Sequence, residues 1–174
     1  MALVLNGSGI TSANIADGTI TNADINSSAA IDGSKLTGAG KVLQVVLSEA
    51  TAGTSSTSTS FSDIGLSAII TPSSSNSKIL CQWVVGYSMV TGSNKGFGTR
   101  LMRGAISAWE SPSHYSVYRD NDIDTRSSAT FMHLDSPATA SAITYEIQTA
   151  NHTTSLVGFN SQTASHLILM EIGA

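Results

Sequence analysis

Charge is scarce in this chain of 174 residues: Asp, Glu, Lys and Arg make up 11% of it, under half of the quarter found in an average globular domain. The eight basic residues are scattered singly and the net charge is −4. That balance excludes nucleic-acid binding through a basic patch. Cysteine is scarcer still. With one, Cys81, the chain cannot form an internal disulfide or a multi-cysteine metal site. No window approaches the run of about 18 apolar residues needed to cross a bilayer as a helix, so membrane insertion is not expected. The opening "MALVLNGSG" lacks a basic region, and its apolar stretch is too short for a signal peptide. The expectation is synthesis in a cytoplasm without export by a leader.

What replaces charge is hydroxyl. Ser and Thr supply 48 of the 174 residues, and a surface solvated by hydroxyls suits a protein that works assembled. Apolar residues at i, i+3, i+4 and i+7 are not sustained in any segment, so no amphipathic helix is expected. After Lys41 the chain instead shows short apolar runs rich in β-branched and aromatic residues. Among them are "KVLQVVL", "KILCQWVVGYSMV", "GFGTRLMRGAISAW", "SATFMHLD" and "SHLILMEIG". Polar clusters such as "SSSNS" and "SPATA" separate them. In "AITYEIQ", Ile143, Tyr145 and Ile147 alternate with Thr144, Glu146 and Gln148, the pattern of a strand with one face in water. About eight strands at this spacing predict an all-β, jelly-roll-like antiparallel sandwich over residues 41–174.

Residues 1–40 follow another rule. They hold no aromatic residue, and from Gly9 to Gly38 the large apolar residues are Ile10, Ile15, Ile20, Ile25, Ile31 and Leu36. The steps are five, five, five, six and five, a period that belongs neither to a helix nor to a strand. Five-residue sides build a square β-helical coil, but this length gives about one and a half coils, too few to bury a core alone. The alternative is an extended arm whose apolar residues meet their equivalents in neighbouring copies, which a threefold assembly does economically. A low-complexity linker is the third reading. The arm reading makes these six residues the expected trimer or virion contacts.

Sites with chemistry are few. Asp120, Asp122 and Asp124 alternate in "RDNDIDTR", a spacing that hard cations favour. Thr125 and Phe131 stand where an EF-hand loop needs Gly and Glu. A looser Ca²⁺ or Mg²⁺ site competes with a solvated loop whose carboxylates pair with Arg119 and Arg126. His114, His133, His152 and His166 never occur at zinc-ligand spacing. "GYSMV" lacks the second glycine of a nucleophile elbow, and the four glutamates show no paired arrangement for glycoside cleavage. No cofactor is expected, and the chain reads as a non-enzyme. Trp109, His114, Tyr115 and Tyr118 crowd "WESPSHYSVY" beside the acidic loop. Aromatic faces next to polar groups stack on sugar rings, so these four are candidate glycan or receptor contacts; the alternative is that they pack the sandwich edge.

The stretches "IADGTITNADINSSAAIDGSKLTG", "SFSDIGLSAIITPSSSNSKIL", "FMHLDSPATASAITYEIQ" and "SHLILMEIGA" together resemble tail-fibre and other virion appendage proteins of tailed bacteriophages, marine and cyanobacterial ones in particular. The resemblance spans nearly the whole chain, and its motifs are structural. It implies a homotrimeric virion protein released by lysis, with an N-terminal attachment or stem segment over residues 1–40 and a sandwich head over residues 41–174, its partners being other virion proteins of the capsid or tail. The chain is short for a tail fibre, so a capsid decoration protein or head fibre is the alternative.

Overall fold

In the computed structural model, residues 41–173 are described except 91, 93, 115, 121 and 122; the five-residue series of residues 1–40 lies outside the described residues. Eleven strands and no helix are found among the described residues. They are β1 (Val42–Ala50), β2 (Thr54–Ser56), β3 (Ser62–Ile70), β4 (Lys78–Met89), β5 (Lys95–Arg103), β6 (Ile106–Glu110), β7 (Val117–Arg119), β8 (Thr125–Asp135), β9 (Ile143–Asn151), β10 (Val157–Phe159) and β11 (Ser165–Ile172).

Alternation decides which side of each strand is buried. On β9, Ile143, Tyr145 and Ile147 point inward, as their spacing predicts. On β3 the inward set is Ile64, Leu66, Ala68 and Ile70, and on β4 it is Ile79, Cys81, Trp83 and Val85. The run "GFGTRLMRGAISAW", which reads as one segment, turns back on itself to give β5 and β6. Gly104 makes that turn possible with φ of 54°, and its N–H donates to the Thr144 carbonyl at 2.9 Å.

All pairings are antiparallel, and they make two sheets. The first has the order β1-β11-β4-β8; β10 continues the β11 side of β4, and β2 lies beyond β10. The second has the order β3-β9-β5, with β6 and β7 sharing the remaining edge of β5. Set aside the short β2 and β10 and treat β6 and β7 as one position: eight positions remain. One sheet then takes the first, last, third and sixth of these, the other the second, seventh, fourth and fifth. That interleaving is a jelly roll.

The core fills the space between the sheets. Trp83 is fully buried at its centre, stacked on Phe131 at 5.7 Å and meeting Trp109 edge-on at 5.4 Å. Its indole N–H donates across the sandwich to Thr99 Oγ1 at 3.2 Å, so the polar end of a large apolar side chain is satisfied inside the core. Gly86 on β4 lets the 163–164 loop approach: a Cβ there would stand 2.0 Å from the Thr163 carbonyl oxygen.

Candidate functional site

The two sheets are dressed differently on their outer faces. On the second sheet the register sets Ser67, Glu146, Met102 and Ser107 in one row and Asp63, Gln148, Arg100 and Glu110 in the next. Arg100 Nε donates to Gln148 Oε1 at 3.1 Å, and its Nη1 lies 3.6 Å from Glu110. This is an ordinary water-facing sheet.

The first sheet does the opposite. One outer row runs Val45, Met170, Leu80, Leu134, and the next Leu47, Ile168, Gln82, Met132. Val45, Leu47 and Met132 are 59%, 64% and 63% exposed, and Leu134 is also exposed. Gln82 is the one polar residue of the two rows, and charge enters only beyond them, at Glu49 and Lys78. An apolar sheet face of this kind, interrupted by Gln82, is a candidate contact surface. The runs "VLQVVL" and "HLILMEI" carried this signal, since near-continuous apolar strands are buried on both faces.

The candidate contact aromatics are spread along one edge. Trp109 is half-buried against Trp83 and Phe131. His114 is half-buried, edge-on to Phe61 at 5.4 Å, with Nδ1 3.1 Å from the Asn151 carbonyl. Tyr118 is 41% exposed, its hydroxyl donating to Asn94 Oδ1 at 2.7 Å and its ring edge-on to His152. Tyr115 lies outside the described residues. Trp109 pairs with Leu101 and Tyr118 with Gly96. Five residues of β5 therefore separate them, about 17 Å at strand rise.

Of the three loop aspartates, Asp122 lies outside the described residues. Asp120 is exposed, and Asp124 sits 3.9 Å from Arg126. Arg119 is buried, and its Nη2 donates to the Gly92 carbonyl at 2.8 Å. Among the described residues no three His, Cys, Asp or Glu side chains gather as a metal site, and no helix is long and apolar enough to cross a membrane. A shallow cavity of about 370 Å³ between the 53–55 and 156–161 segments is lined by Gly, Ser, Thr, Val and Leu, with no titratable side chain.

Asp135, Tyr145 and Glu171 are held by partners inside the head. Asp135, at the end of β8, accepts from Arg103 Nη1 at 2.9 and 3.0 Å and from the Tyr145 hydroxyl at 2.6 Å. Burial, then the Asp135 hydrogen bond, raises the Tyr145 pKa well above that of a free phenol. Burial, and secondarily the Asp135 charge, pushes the Cys81 thiol up to about 12, so it is protonated and unreactive near neutrality. For Glu171 on β11, burial acts upward, but hydrogen bonds outweigh it and bring the carboxyl down to about 2. The donors are Ser73 Oγ at 2.6 Å, Ser73 N at 2.8 Å and Gln44 Nε2 at 2.6 Å. Asp135, Tyr145 and Glu171 each tie two strands or loops together, and sequence reasoning singled out none of the pairings.

No protein-family model matches the chain, and no curated protein is similar to it in sequence. Solved structures similar to the chain include three from infectious bursal disease virus. They are the T13 viral particle (9% identity, TM-score 0.42, 76% of this chain and 38% of that one), the VP2 subviral particle (12%, 0.40, 75% and 37%), and a mutant VP2 in T=1 particles (10%, 0.41, 82% and 40%). The chain spans about two fifths of the length of these viral-particle proteins. The jelly-roll description rests on the strand order itself.

Proposed function

We propose that this chain is a structural virion protein of a tailed bacteriophage. It is a homotrimeric fibre or appendage, anchored by residues 1–40 and carrying a β-sandwich head that contacts the host surface. The observation that carries the reading is the bare apolar face of the first sheet. A protein that acted alone would leave that face a standing aggregation site, whereas a protein with a permanent place in an assembly has it covered. The low charge, the abundant hydroxyls and the phage-appendage resemblance of the sequence support the same reading.

A capsid decoration protein or head fibre without receptor binding is the second reading. It is favoured by the packing of Trp109 and His114 within the head, which leaves little of either ring for a glycan. Antibody against the head, applied to intact phage particles and viewed by electron microscopy, tests both. Label at the tail supports the fibre and label over the capsid the decoration protein; particles that carry none of the protein overturn the virion role. Binding of the purified chain to host cells, weakened by Tyr118→Ala or Trp109→Ala, separates receptor contact from cement.

A further inference from the structure

We infer that the outer face of β1, β11, β4 and β8 is where copies of this chain meet one another. The inference rests on the homotrimer reading and names the surface that would make it. Size is the first argument. Val45, Leu47, Met132 and Leu134 are all exposed along β1 and β8; together they present on the order of 400 Å², within the range of the largest patch a monomer leaves, which is often a functional one. The half-buried Leu80, Ile168 and Met170 between them carry the face toward the roughly 800 Å² per partner that a stable interface buries.

Chemistry is the second argument. With Gln82 the one polar side chain across the two rows, the face selects a partner surface that is apolar and offers no charge to strand there. The outer face of the second sheet, with Asp63, Arg100, Glu110 and Glu146, is unsuited to be that partner, so the face is covered by the same face of other copies turned toward a shared axis.

The test uses the full chain. Light scattering on the Leu47→Glu/Met132→Glu variant is expected to read the mass of a single 17.9 kDa chain where the wild type reads a multiple. An Ile69→Glu variant, on the outer face of the other sheet, keeps the multiple. Near-UV circular dichroism of the buried Trp83 reports whether the double variant is folded. If it is not, peroxide oxidation of wild-type Met132, read by mass spectrometry, decides: several-fold slower in the assembly than in a free peptide is the expected result, and equal rates overturn the inference. A folded double variant that keeps the wild-type multiple overturns the face while leaving the trimer standing. A wild-type chain that is a single copy overturns both.

Discussion

Arg103 on β5 and Asp135 at the end of β8 join the two sheets at one corner, with Nη1 2.9 and 3.0 Å from the two carboxylate oxygens. Tyr145 on β9 completes the tie by donating to the same carboxylate at 2.6 Å. Asp135→Ala removes the shared acceptor and strands a cation and a hydroxyl in a part-buried site. The expected cost is about 3 kcal/mol, a fall in Tm of roughly 10 °C, measured by calorimetry. Tyr145→Phe removes one hydrogen bond and costs about 1 kcal/mol.

Glu171 gives the head an acid limit. Its carboxyl titrates near 2 when folded, against an ordinary 4.5. The folded state therefore prefers the ionised form, and the resulting stability is complete above about pH 4.5 and lost as pH falls toward 2. Urea midpoints at pH 7, 4 and 2.5 are expected to decline in that window, and Glu171→Gln flattens the decline while lowering the midpoint at pH 7.

Cys81 is fully buried and its thiol is pushed up to about 12. A disulfide reagent at pH 8 is expected to leave the native chain unmodified and to titrate one thiol once denaturant is added. Labelling of the native chain at the rate of a free thiol would contradict the packing described for β4.

Two glycines separate steric from conformational need. An added Cβ at Gly86 meets the Thr163 carbonyl oxygen at 2.0 Å, whereas at Gly104, with φ of 54°, it meets nothing within 4 Å. Gly104→Ala is expected to cost about 1 kcal/mol. Gly86→Ala has to move backbone, and its expected outcome is a chain that expresses without native near-UV circular dichroism.

Much of the fold was legible where side chains alternate. Ile143, Tyr145 and Ile147 marked the inner face of β9, and "SSSNS" marked the gap between β3 and β4. The short strands β2 and β7 were not, because three residues such as Thr54–Ser56 or Val117–Arg119 carry no period and are held by their neighbours β10 and β5. The apolar outer face was half legible. "VLQVVL" and "HLILMEI" announce two buried sides, but only the register shows Val45 and Leu47 reaching across to Leu134 and Met132. The aromatic cluster was compact in sequence and is spread in space, since Trp109 and Tyr118 face different stretches of β5. Arg103 and Asp135 meet from 32 positions apart, a distance no local pattern encodes.

The claim that this protein works assembled is tested most directly by the mass of the full chain in solution, read by light scattering behind size exclusion at micromolar concentration. The expected mass is three times the 17.9 kDa of one chain, unchanged on moderate dilution. A single 17.9 kDa species that stays dispersed with its apolar face in water would contradict it.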